Sequence, residues 1–257
     1  MDVVWFKKNY GIINLMKTII ANFKMNPGSE EEARSLLNYY REKSSELSNV
    51  TLIVAPPFIY LQLAKEKGCK IAAQNCFYEN SGAYTGEISP LMLKNLGVEY
   101  VILGHSERRS LGENNEVITK KVKAVLENNL TAILCVGETK EEISRREDVI
   151  KEQLRSVFSE ISPNDKIIIA YEPRWAIGTG EFCNPEVAEQ IHQFIKKFLS
   201  SEFGFKDILV LYGGSVDDKN INSFLIQSNI DGALVGGASL RKEEFANILN
   251  IANSLSS

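Results

Sequence analysis

Glu172 stands directly after the apolar run Ile167-Ile168-Ile169-Ala170-Tyr171 and directly before Pro173-Arg174-Trp175-Ala176-Ile177-Gly178-Thr179-Gly180. The run reads as a buried strand, and the proline ends it by removing a backbone donor. A carboxylate placed there, followed by a large aromatic, small residues and Gly-Thr-Gly, suits a base covered by a loop that closes as a unit. At Gly178 the backbone N–H can approach a ligand because no Cβ stands in the way. His105, one of only two histidines, follows a second apolar run and Gly104. With Ser106 next as a possible helix cap, the positive end of the helix dipole would favour the neutral imidazole. His192 lies among Gln190, Gln193 and Lys196 and reads as a surface helix residue. Asn22 and Lys24 close the first run. Alone, Lys24 would be an ordinary lysine snorkelling from a rim. Gly213-Gly214 before Ser215, and Gly236-Gly237 after Val235, are pairs suited to cradling a phosphate on backbone N–H groups. One such pair is ordinary in a tight turn; two after the last two runs carry more weight. Cys135 ends another run and reads as a small buried hydrophobe.

A carboxylate, a histidine, a lysine and a phosphate cradle, with no metal-ligand cluster and no G-x-G-x-x-G, point to one chemistry. It is proton abstraction beside the carbonyl of a phosphorylated substrate, giving an enediolate and needing no cofactor.

Such groups must be brought together by the elements that carry them. Apolar runs at 18–23, 51–55, 71–74, 100–103, 132–136, 166–171, 208–212 and 232–235 have strand character. Between them lie charged stretches with helical spacing, among them 30–46, 113–128, 140–158, 185–200, 217–226 and 241–252. Asn184-Pro185 is a helix start, and Gly68 and Gly97 stand where helices end. Eight units of roughly 30 residues match the size of a βα unit. Strands apolar throughout and separated by helices imply a parallel sheet, and eight units predict a closed parallel (β/α)8 barrel of one domain. Active sites of such barrels lie at the C-terminal strand ends, where every residue above falls. Residues 1–15 read as an extension of unknown role, with Met16-Lys17 offering a second start, and the barrel occupies 16–257.

The net charge of -4 argues against nucleic acid or a membrane surface as partner. Cys69, Cys76, Cys135 and Cys183 have no metal-knuckle or redox-pair spacing and read as free thiols of a reducing compartment. No apolar run reaches the ~18 residues of a membrane span, and Lys7, Lys8, Asn9 and Asn14 break up the N-terminal apolar residues, unlike a signal peptide. A cytoplasmic enzyme is expected.

Taken in order, Asn22-Phe23-Lys24-Met25-Asn26, Gly82-Ala83-Tyr84-Thr85-Gly86-Glu87-Ile88-Ser89, Gly104-His105-Ser106-Glu107-Arg108-Arg109, the stretch from Tyr171 to Gly180, Tyr212-Gly213-Gly214-Ser215-Val216 and Leu234-Val235-Gly236-Gly237-Ala238-Ser239 resemble the triosephosphate isomerases. The match runs from about Met16 to the C-terminus. The resemblance implies interconversion of dihydroxyacetone phosphate and D-glyceraldehyde 3-phosphate, a step of glycolysis and gluconeogenesis. It makes Glu172 the base and neutral His105 the electrophile. Lys24 supplies positive charge, Asn22 a polar contact to the same oxygens, and Glu107 organises Lys24 and Ser106. The phosphate falls to backbone N–H groups of Gly178, Ser215, Gly236 and Gly237. It also implies a homodimer, in which the long loop at 76–86 docks into the second subunit with Thr85 close to the partner's active site.

Two departures stand out. Phe23 replaces the tryptophan more usual in the family. At the far end of the lid, Glu181-Phe182-Cys183 replaces a lysine followed by small residues, which bears on lid opening. Two other readings compete: a (β/α)8 aldolase using Lys24 as a Schiff-base amine, and a binding or scaffold protein that keeps the fold.

Overall fold

The eight apolar runs become eight parallel strands in a computed structural model that describes residues 16–163, 166–176 and 183–255. They are β1 (Lys17–Asn22), β2 (Val50–Ala55), β3 (Ala72–Ala73), β4 (Tyr100–Leu103), β5 (Thr131–Val136), β6 (Ile167–Tyr171), β7 (Leu209–Tyr212) and β8 (Gly232–Val235). Their order is β2-β1-β8-β7-β6-β5-β4-β3. The ring closes where Val54 pairs with Ile71 and the Val54 N–H donates to Lys70 O at 2.9 Å. The barrel expected from eight βα units is therefore the observed one.

Alternation along each strand divides the core in two. Ile20, Ile53, Ile102, Ile133, Ile168 and Leu211 pack with one another inside the barrel. Their neighbours Ile19, Leu52, Val54, Val101, Leu134 and Val210 face outward into a larger cluster shared with the helices. Each buried side chain of this size stabilises the fold by about 1.5–3 kcal/mol relative to exposure. The helices are α1 (Glu30–Ser44), α2 (Leu61–Glu66), α3 (Pro90–Leu96), α4 (Ser106–Ser110), α5 (Asn115–Glu127), α6 (Arg146–Phe158), α7 (Pro185–Phe203), α8 (Ile221–Leu225) and α9 (Lys242–Ser254). The side chain of Asn184 accepts from the N–H groups of Glu186 and Val187, so α7 starts where its cap and proline predict. Gly97 ends α3 in the left-handed conformation. No helix among the described residues is long and apolar enough to cross a membrane.

Several boundaries differ from the sequence reading. The 140–158 stretch splits into a 3₁₀ turn, Lys140–Arg145, and α6. A capping box between Thr139 and Glu142 starts the turn early. The 217–226 stretch shrinks to α8, because Asp217 Oδ1 takes the N–H groups of Lys219 and Asn220 and holds a turn ahead of the helix. The short helices α2, α3 and α4 carry too few turns to show a period.

His192 is a correction. It is fully buried, with Nδ1 3.1 Å from Val210 O. On α7 it lies four residues after Ala188 and seven before Leu199, within the stripe facing the barrel. Its polar sequence neighbours concealed that stripe. Burial and the charge of Lys196 lower its pKa to about 3.

Candidate active site

Glu172 leaves the end of β6 held by its backbone: its N–H donates to Val136 O at 2.8 Å. The chain there passes so close to Gly137 that a Cβ on that glycine would lie 1.8 Å from Glu172 O. The side chain is 2% exposed. Its Oε2 accepts the Ser106 N–H at 2.8 Å, at the first turn of α4. Its Oε1 lies 3.2 Å from His105 Nε2 yet has no well-aligned hydrogen-bond partner among the described residues. One oxygen of the carboxylate is thus anchored by a backbone N–H and the other faces the imidazole.

His105 is the cap residue of α4, a role the sequence suggested for Ser106. Its Nδ1 accepts the Glu107 N–H at 3.2 Å. A ring nitrogen that accepts carries no proton, so this contact suits the tautomer with its hydrogen on Nε2. Asn22 is buried at the end of β1, and its Oδ1 accepts the Lys24 N–H at 3.0 Å, which orients the amide. The Asn22 Nδ2 lies 3.5 Å from His105 Nε2. The amide nitrogen and the ring nitrogen therefore sit side by side at the mouth of the barrel.

Lys24 has φ 54°, a strained backbone for a non-glycine residue. Gln74 Nε2 secures it by donating to Lys24 O at 2.9 Å and to Ala55 O at 2.8 Å. The Lys24 Nζ makes a 2.6 Å ion pair with Glu107 Oε1. Its stem crosses Gly236, where a Cβ would stand 3.0 Å from Lys24 Cε. Gly237 opens a 3₁₀ turn, Gly237–Leu240, and Ser215 donates through Oγ to Ala176 O at the start of the lid. The N–H groups of Ser215, Gly236 and Gly237 make no backbone hydrogen bond among the described residues. A cavity of about 550 Å³ opens on the outer side of Lys24 and Glu107, lined also by Ser106, Thr139, Arg174 and Trp175; Ser215 and the two glycine pairs are not part of its lining.

Asn22, Lys24, His105, Glu107 and Glu172 thus converge from the ends of three strands, β1, β4 and β6, through the contacts just described. Glu107 is paired with Lys24, and Ser106 Oγ is without a hydrogen-bond partner among the described residues. Thr85 is exposed in the 76–86 loop, whose base is closed by Phe77 N–H donating to Ile88 O at 2.8 Å. Gly178, Glu181 and Phe182 lie outside the described residues. No group of three or more His, Cys, Asp or Glu side chains among the described residues is placed to hold a metal.

The model of the family described as triosephosphate isomerase matches residues 17–252. Three curated relatives carry the name triosephosphate isomerase. That of Yarrowia lipolytica is 45% identical, over 89% of this chain and 95% of its own. That of Dictyoglomus thermophilum is 44% identical, over 91% and 98%. That of Thermodesulfovibrio yellowstonii is 42% identical, over 91% and 98%. The chain belongs to the triosephosphate isomerase family. It is an enzyme, an isomerase, on a TIM barrel.

Within this family member, several supporting residues were not visible as such in the sequence. Glu138, fully buried, accepts from the Tyr171 hydroxyl at 3.2 Å and from Trp175 Nε1 at 3.1 Å, with Arg146 Nε 3.7 Å away. Burial, with the Glu138 carboxylate nearby, pushes the Tyr171 hydroxyl well above the ordinary phenol range. Arg109 ties the ends of β4 and β5 by donating to Gly104 O at 2.8 Å and Cys135 O at 3.1 Å. Cys135 is buried as expected, and burial and the Glu172 carboxylate raise its thiol. At the far end of the lid, Cys183 is buried and its N–H donates to the Tyr212 hydroxyl at 3.3 Å. The one signal for Glu138 was its place just past a strand.

Proposed function

We propose that this isomerase interconverts dihydroxyacetone phosphate and D-glyceraldehyde 3-phosphate through an enediolate, with Glu172 moving the proton between adjacent carbons. The observation that carries this reading is a buried carboxylate with one oxygen anchored by a backbone N–H and the other facing an imidazole 3.2 Å away. This family is itself a standard illustration of a carboxylate base working beside a neutral histidine. A C–H next to a carbonyl is weakly acidic, so the charge that develops on oxygen must meet fixed donors. His105 Nε2–H and Asn22 Nδ2 are those donors, and Lys24 adds positive charge. One such donor lowers the barrier by about 3 kcal/mol in comparable sites. Glu107 holds Lys24 in place.

The phosphate takes the free N–H groups of Ser215, Gly236 and Gly237, with that of Gly178 arriving on the lid. Its binding energy drives closure and orients the reacting carbons, and exclusion of water strengthens the electrostatics within. The chemistry requires no cofactor and no metal.

The working unit is a homodimer, joined through the 76–86 loop with Thr85 near the partner's site. Support comes from the exposed apolar side chains Met25, Ile59 and Leu111, 93%, 78% and 76% exposed. Met25 lies three residues past the end of β1 and Leu111 directly after α4, close to the proposed catalytic groups. Neither nucleic acid nor a membrane is a partner of this acidic chain, and the reading places it in the cytoplasm.

The aldolase alternative is disfavoured by the Lys24–Glu107 ion pair, which leaves no free amine in an apolar pocket to attack a carbonyl. A coupled assay for isomerisation, run with borohydride in the presence of dihydroxyacetone phosphate, decides between them. The expected result is turnover without labelling; covalent trapping of Lys24 overturns the isomerase mechanism.

A further inference from the structure

Val50, Leu52 and Val54 point outward from β2 and are buried, at 8%, 8% and 1% exposure, in the cluster they share with α1 and the short α2. A cavity of about 300 Å³ lies beside them, at the small end for a ligand site. These strand residues line it together with Tyr40 of α1 and Cys69. Arg41 and Lys70 stand at its rim, with Ser44 and Thr51 adding hydroxyls. The chain carries a net charge of -4, yet among the described residues neither Arg41 nor Lys70 forms an ion pair. Arg41 is also confined: it lies over Gly68, which has φ +71°, and a Cβ there would come within 3.3 Å of Arg41 Nε. Burial raises the Cys69 thiol to about 11, so this is a place to bind and not to react.

One wall leads to the active site. The Tyr40 side chain is fully buried, and its hydroxyl donates to Ser239 O, in the 3₁₀ turn that Gly237 opens. Ser239 Oγ in turn donates to Asn22 O at 3.2 Å. The Tyr40 ring also packs on Phe23, with centroids 5.9 Å apart, next to Lys24.

We propose that this cavity binds a small amphipathic monoanion, an aromatic or short aliphatic body bearing one carboxylate or sulfonate, and that its occupancy alters catalysis through Tyr40. Charge complementarity selects the occupant: an apolar floor takes the body and two unpaired cations take the acid group. The coupling, though not the binding, rests on the reading that Asn22 and the Gly236-Gly237 turn hold substrate.

The test is titration of the full chain with 8-anilinonaphthalene-1-sulfonate in saturating inorganic phosphate, which occupies the active site. The expected result is one probe per chain, not displaced by phosphate. Affinity should fall about tenfold in the Arg41→Gln, Lys70→Gln double variant and be lost when Ser44→Trp fills the cavity, both variants keeping full activity without probe. Bound probe should lower kcat/KM about fivefold. Tyr40→Phe should bind the probe but lose that effect. Displacement by phosphate, affinity indifferent to the rim and filling variants, or bound probe with unchanged kcat and KM overturns the proposal. A wild-type chain without isomerase activity would instead refute the functional reading, while the binding measurements would still report on the cavity.

Discussion

Glu172, the base in the proposed reaction, depends on reach. Its Oε2 is fixed by the Ser106 N–H while Oε1 faces His105 without a bond. Glu172→Asp withdraws the carboxylate by one methylene from both neighbours. Misplacement on the scale of an ångström costs on the order of a hundredfold in rate. Turnover should drop by that order, while the inhibition constant for inorganic phosphate stays within about threefold, since the cradle is made of other groups. Turnover equal to wild type would show that Glu172 is not the base. The sequence draws attention to Glu172, His105, Lys24 and Asn22 because each stands at or just past the end of an apolar run. The imidazole tautomer was not legible there, because it depends on the Glu107 N–H turning back to Nδ1, a contact between backbone and ring that composition does not encode.

At the scale of elements, β5 and β6 hold the site through close backbone contact. Gly137, after β5, lies against the backbone of Glu172, where a Cβ would stand 1.8 Å from a carbonyl oxygen that cannot move without shifting β6. Gly137→Ala should destabilise the fold by about 3 kcal/mol or more. In a chain of this size that lowers Tm by roughly 6–12 °C. A thermal melt within about 2 °C of wild type would contradict this. The eight strands were predictable from apolar runs, since a parallel sheet buried on both faces leaves that mark. The lengths of β3 and α8 were not, because a neighbouring bridge in one case and an Asp217 turn in the other set the ends.

For the whole molecule, His192 ties stability to pH. Its folded pKa of about 3 lies below its ordinary value of 6.5. Between those values the unfolded chain binds a proton that the folded chain does not, so stability rises with pH and is lost as pH falls below 6.5. The loss from this group is about 1.4 kcal/mol per pH unit. Unfolding free energies measured between pH 6.5 and 4.5 should show a slope about one proton shallower in His192→Asn; an identical slope refutes the account. Assembly is the second property of this scale. Light scattering should give twice the 28.8 kDa of the chain. Shortening the 76–86 loop should give monomers with activity reduced at least about tenfold, because each site then lacks its neighbour's loop. A shortened loop that still yields dimers would refute that interface.

The sequence alone determined the barrel and singled out the groups from which the proposed chemistry is drawn. Each is written locally, in an apolar run, a proline or glycine that ends it, and the polar residue next in line. Only the tertiary structure decided which of those groups meet. Lys24 finds Glu107 across 83 residues of chain, and Glu172 reaches the Ser106 N–H across 66. It also decided that His192 is buried and that Tyr40 links a cavity outside the barrel to Ser239 and Asn22. Such contacts follow from closing the ring, which brings distant strand ends together and gives no periodic signal along the chain.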